Sequence, residues 1–110
     1  MRSFIDPGRL RTELVLEAAS LTPDGAGGYS ESWGEVALLF ALLEPLRANR
    51  RFAAAQFLEE VSHRATLRFR SDVTAGMRMR KGNRVFRIIT VHDPDETGRF
   101  LVCLMQEDLQ

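Results

Sequence analysis

The residues able to do chemistry in this 110-residue chain are few: two histidines, one cysteine, some acids and many arginines. The stretch VSHRATLRFR, Val61–Arg70, sets a serine directly before a histidine, the residue types of a nucleophile and its base. Its strict alternation reads as a strand, and neighbours on a strand point to opposite faces, so Ser62 and His63 are not expected to work as a pair. His63 falls in the apolar phase and reads as a half-buried, hydrogen-bonded wall residue. His63, His92 and Cys103 match no common metal spacing. DPDETG, Asp93–Gly98, starts like a calcium loop, but the bidentate glutamate required at the twelfth position is Leu104, so a solvated acidic turn is the better reading. GAGG, Gly25–Gly28, is no phosphate cradle, because the last glycine of a GxGxxG pattern would fall on Ser30. Glu59-Glu60 reads as a solvated pair. No catalytic, cofactor or metal site is expected.

The arginines carry more information. Arg64, Arg68 and Arg70 share the polar phase of the same strand, and Arg78 and Arg80 share one phase of the next. If those strands pair, five guanidinium groups gather on one sheet surface. Such a face is either the solvated outside of a barrel or a wall gripping carboxylates or phosphates. No aromatic residues interleave on it, which argues against base stacking.

The elements that would position these groups are short. Pro7-Gly8 makes a turn. TELVLEAA, Thr12–Ala19, reads as strand one, with helix as the competing assignment. Leu21–Ser32 holds Pro23, Asp24, Gly25, Gly27 and Gly28 and reads as a flexible loop, spanning 20–34, or a hairpin tip. Val36–Leu43 is apolar throughout, and its length and the following Pro45 favour a strand over a buried helix segment. Asn49–Leu58 has an N-cap residue and three alanines, which predicts a short helix within a 45–59 connection. Further strands are expected at 61–70, 77–80, 84–92 and 99–105, separated by turns at 71–76, 81–83 and 93–98. The fold class is therefore mainly β: a small antiparallel six-stranded β-barrel or sandwich, with one short helix between strands two and three, in a single domain over 1–110.

Charge is layered although it sums to zero. Residues 1–46 hold three Arg against seven acids, 61–87 hold seven Arg and Lys81 against Asp72, and 93–110 hold five acids against Arg99. Such a layout suits nucleic acid, or complementary faces of neighbouring copies. The lone cysteine excludes an internal disulfide, no apolar leader is visible, and the longest apolar run is too short for a bilayer, so a reducing cytosol is the expected place of folding.

Over nearly its whole length the sequence resembles the phage head–tail joining family, also called head-completion or stopper proteins. The likeness rests on Gly8-Arg9-Leu10-Arg11; on Gly27-Gly28-Tyr29 with Trp33; and on Phe40-Ala41 with Glu44-Pro45-Leu46. It continues through Phe52–Gln56, Ser62-His63-Arg64, Arg68-Phe69-Arg70, Gly76-Met77 and Gly82-Asn83-Arg84-Val85-Phe86, with Ile88 and Val91. Leu38 and Leu42 stand where that family is often polar, and RANRR, Arg47–Arg51, replaces a glycine-containing turn. The resemblance implies a non-enzymatic small β-barrel without cofactors. Its copies form a ring, hexameric in the assembled particle, with a portal or adaptor above, a tail terminator or other tail protein below, and packaged double-stranded DNA in the channel. Neither a membrane nor a metal enters. Assembly in the bacterial cytoplasm, then a place in the neck of a phage, prophage or gene-transfer-agent particle, follows from the same likeness.

For this chain that reading makes Arg47, Asn49, Arg50 and Arg51 candidates for the channel, where repeated arginines would meet the DNA backbone. Arg64, Arg68, Arg70, Arg78 and Arg80 become candidates for meeting acids on neighbouring copies. Leu38, Phe40 and Leu42 become candidates for an apolar seam, covered either by a neighbour or by another part of the same chain. The alternative function is a free-standing β-barrel that binds nucleic acid.

Overall fold

The computed structural model describes residues 5–46 and 61–108. After one turn of 3-10 helix at Pro7–Arg9, capped by the Asp6 carboxylate on the Gly8 N–H at 2.9 Å, six strands follow: β1 (Thr12–Pro23), β2 (Tyr29–Pro45), β3 (His63–Arg68), β4 (Arg78–Lys81), β5 (Arg84–His92) and β6 (Phe100–Asp108). Every pairing is antiparallel, and the order β1-β2-β3-β6-β5-β4 closes into a barrel through β4 and β1. The expected mainly β fold is the one observed. The predicted Asn49–Leu58 helix lies outside the described residues.

Two-residue periodicity builds the interior. Leu14 and Leu16, Leu39 and Ala41, Ala65 and Leu67, Met79, Phe86 and Ile88, and Leu101, Cys103 and Met105 alternate inward from the six strands, with Val73 and Met77 closing one end. TELVLEAA is strand and not helix, because Leu14 and Leu16 both reach this core. VALLFALL is strand too, with Leu39 and Ala41 inward and Leu38 and Phe40 outward. The β4–β5 hairpin turns on Gly82-Asn83, with Gly82 at φ +61° in the first central position, where type II′ turns require glycine.

One element departs from expectation. Strands run out to Pro23 and back from Tyr29, so the span expected as a flexible loop or hairpin tip is a two-stranded arm whose tip is only residues 24–28. Six residues beyond Glu17 carry this arm about 20 Å past the β4 pairing, and it helps make the molecule 54 Å long against 33 and 26 Å. A bulge at the base of the arm, where Leu16 pairs with Ala37 but Glu17 with Glu35, leaves Val36 extra and re-aims the ribbon. The core-side face of the arm is small and hydroxylic: Ala18 with Gly34, Ser20 bonded to Ser32 at 2.9 Å, and Thr22 with Ser30. The other face bears Leu21, Tyr29 and Trp33.

Candidate subunit-contact surface

The five arginines do not share a surface. β3 pairs with β2 and β6, β4 pairs with β1 and β5, and the two strands sit on opposite sides of the barrel. Pairing of β3 with β4, which their nearness in sequence suggested, is prevented because β5 and β6 come between them. Four of the five also meet acids of their own chain: Arg64 with Glu44 at 3.1 Å, Arg70 with Asp72 at 2.9 Å, Arg78 with Glu17 at 2.7 Å, and Arg80 with Glu17 at 3.0 Å and Glu35 at 3.1 Å. Arg68 alone of the five has no polar partner among the described residues.

Glu17, unremarked in the sequence, is the keystone at the arm's base. It is only 5% exposed. Burial pushes its carboxyl up, but the hydrogen bonds and charges of Arg78 and Arg80 outweigh burial and hold it below its usual value of 4.5. Arg78 also lies over the Trp33 ring, 4.2 Å from its centroid. These contacts tie β1, β2 and β4 together where the arm leaves the barrel. No local signal could have shown this, since Glu17 and Arg78 are 61 positions apart.

Ser62 and His63 do form a hydrogen bond, at 2.9 Å, contrary to expectation. Regular strand begins only at His63, so strand alternation does not govern Ser62. The direction of that bond follows from Arg84, whose Nη2 lies 3.4 Å from His63 Nε2. A guanidinium only donates, so Nε2 accepts and Nδ1 carries the proton. Ser62 Oγ then accepts from His63 Nδ1 and from the Glu107 N–H at 2.7 Å, and donates to the Met105 carbonyl at 3.4 Å. The imidazole gives a hydrogen bond to the hydroxyl and takes no proton from it. The group is a tie joining β3 to β6. Arg84 completes it with a bidentate pair to Glu107 at 2.8 and 3.0 Å.

Burial lowers the His63 pKa, Glu107 opposes this and Arg84 adds to it, so the net shift is down. A histidine depressed on folding binds fewer protons in the folded chain, so acidification through the ordinary histidine range near 6.5 should cost stability. Ser62→Ala leaves two donors without their acceptor and should cost about 1–2 kcal/mol in urea unfolding; an unchanged midpoint would show that the tie contributes nothing.

Among the described residues, the acids at the arm's tip and in the acidic turn bond within their own loops. Asp24 accepts the Ala26 and Gly28 N–H groups at 2.8 and 3.0 Å, occupying donors an anion would need at GAGG. In the acidic turn, Asp93 takes the Gly98 N–H at 2.7 Å, and Asp95 binds Thr97 and Arg99. Cys103 is buried, and burial pushes its thiol up to about 12. Among the described residues no cluster could hold a metal, and no helix is long and apolar enough to cross a membrane.

Besides the buried Asp93 Oδ1, which has no hydrogen-bond partner among the described residues, the fold leaves apolar side chains uncovered. Val36, Leu38 and Phe40 are 44, 56 and 52% exposed on the outer side of β2, with Leu42 partly covered beyond them. Leu21 and Tyr29, near the arm's tip, are 64 and 68% exposed. Arg47, Asn49, Arg50 and Arg51 lie outside the described residues.

The described residues thus form a closed β-barrel with many charges paired within the chain and an uncovered apolar face on β2. The chain belongs to the phage head completion protein family, whose sequence model matches residues 5–108. It is thus a structural protein of the phage head–tail class. Among solved structures it is similar to protein SF1141 from Shigella flexneri 2a, with a TM-score of 0.74 and 25% identity over 96% of this chain and 99% of that one. It is also similar to a chain in the virion of a native gene transfer agent particle, with a TM-score of 0.65 and 27% identity over 93% of this chain and 98% of that one. No match was found among curated proteins.

Proposed function

We propose that this protein forms a ring beneath the portal or its adaptor in a phage or gene-transfer-agent particle, joins the head to the tail below, and helps retain packaged DNA. The observation that carries this reading is the outer face of β2, where Val36, Leu38 and Phe40 stand open on a barrel whose interior is already filled. Exposed apolar side chains grouped on one strand call for a protein partner. Family membership and the likeness to a virion chain support a place in a particle. In this reading Leu38, Phe40, Leu42 and Arg68 face neighbouring copies. Arg64, Arg70, Arg78 and Arg80 hold the subunit's own shape. Arg47, Asn49, Arg50 and Arg51 face the channel.

The rival, a free barrel that binds nucleic acid, needs a continuous cationic wall. The strands bearing the candidate arginines are on opposite sides, and four of those arginines are neutralised. Particles assembled without this chain should be tailless heads that lose their DNA; tailed, DNA-filled particles would overturn the proposal. For the channel residues, replacing Arg47, Arg50 and Arg51 together with Ser should increase DNA leakage from particles while the chain still folds. Unchanged retention would remove those residues from the channel. Tight, steeply salt-dependent binding of the free chain to duplex DNA would favour the rival.

A further inference from the structure

The β1–β2 ribbon carries two unsatisfied patches on one face. Along β1 the positions outside the core are 13, 15, 17, 19, 21 and 23, and the register sets Phe40, Leu38, Glu35, Trp33, Glu31 and Tyr29 beside them. At the tip end, Leu21 and Tyr29 are exposed next to Glu31, a carboxylate with no partner among the described residues. At the barrel end, Leu38 and Phe40 are exposed. Arg68 follows directly on the Leu67–Ala41 pair, on the Phe40 side, and Arg11 precedes the Thr12–Ala41 pair, on the Leu42 side. Neither arginine has a side-chain partner among the described residues. Both patches are thus apolar with charge beside them: Glu31 at the tip, and at the barrel Arg68 and Arg11, which outnumber Glu13 across from Phe40.

The tip cannot satisfy its own barrel patch. Tyr29 and Phe40 lie eleven positions apart on one continuous strand, about 36 Å when extended. The Glu17, Arg78, Arg80 and Glu35 contacts, with Trp33 under Arg78, brace the ribbon where it would have to fold back. We infer that the occupant of each patch is a second copy of this chain: the arm tip of one copy, through Leu21, Tyr29 and Glu31, docks on Leu38, Phe40, Arg68 and Arg11 of the next. Donor and acceptor patches differ, so the contact is head-to-tail, and any open chain of copies keeps one of each free until a ring closes. The arm face is about 20 Å by about 10 Å, well under the roughly 800 Å² per partner of a standard interface. One contact alone is weak, and closure with all copies held on a common platform makes it persist.

This inference deepens the ring proposal and rests on it, and cross-linking in the assembled particle tests it. Cysteines are introduced as Leu21→Cys and Phe40→Cys, with buried Cys103 left in place, and the particles are oxidised. A chain carrying both should give a disulfide ladder ending in a closed species. Particles containing a mixture of the two single variants should give one mixed dimer, and either single variant alone should give none. Self-cross-linking of the Leu21→Cys chain alone would mean a two-fold contact and overturn the inference. So would the absence of cross-links in particles where imaging finds the chain ringed on the tail axis, an outcome that leaves the ring proposal standing. A chain found elsewhere in the particle would sink the ring proposal itself. Glu31→Arg should reduce assembled particles at least tenfold, with recovery when Arg68→Glu is added; no recovery together with absent mixed cross-links would also overturn the docking.

Discussion

Phe86→Ala is expected to cost about 3–5 kcal/mol in stability. Phe86 is the bulkiest of the fully buried side chains among the described residues and joins the core from β5. Its ring meets His63 edge-on at 4.9 Å, and the Arg84 guanidinium lies over it at 4.9 Å. Removing it leaves a cavity and frees the ring and the cation that hold the Ser62–His63–Glu107 tie. A domain of this size has about 5–15 kcal/mol in all, so the melting temperature should fall by roughly 15 °C or more. Phe86→Leu, which keeps much of the volume, should fall well short of that. Calorimetry of the two variants decides the matter: equal losses would show that the ring's edge and face contacts matter more than its volume, and a small loss for alanine would mean the barrel collapses to fill the gap.

Glu17→Ala comes second, at about 2–3 kcal/mol. The loss strands Arg78 and Arg80, but both are partly exposed and recover some hydration, which keeps the figure below that for a fully buried pair. The same residue gives the protein an acid limb. Its carboxyl is depressed in the fold, so its contribution is complete above the unfolded value of 4.5 and is lost as pH falls through the lower folded value. Glu17→Gln should therefore be less stable at neutral pH and show a shallower decline below about pH 4.5. An unchanged acid slope would assign that decline to the other depressed carboxyls, Asp24, Asp72, Asp95 and Glu107. Because Glu17 braces the arm, Glu17→Ala should also impair assembly more than its stability loss explains.

The sequence yielded local features readily and long-range ones poorly. β5 has the predicted bounds, Arg84–His92, because a run rich in Val, Ile and Phe lies between two sharp turns. The arm was hidden for the opposite reason. Both of its faces meet solvent, so Ala18–Thr22 and Ser30–Gly34 show no core alternation, and the glycines of a five-residue tip made the whole span read as loop. Strand order is a property of the whole barrel: β3 and β4 are consecutive in sequence but three strands apart around it, so nearness in sequence suggests an arginine wall that the topology does not build. The Ser62–His63 bond escaped because it depends on where β3 begins, a matter of one residue. The apolar outer side of β2 was legible from VALLFALL alone, since a run apolar in both phases has one phase too many for a single core.

The most direct test of the central claim is an electron cryomicroscopy map of the assembled particle at a resolution that traces strands. The account predicts copies of this six-stranded barrel in a closed ring around the portal–tail axis, each arm lying against the β2 face of the next copy. Density for the chain away from that axis, or as isolated barrels that do not touch, would contradict it.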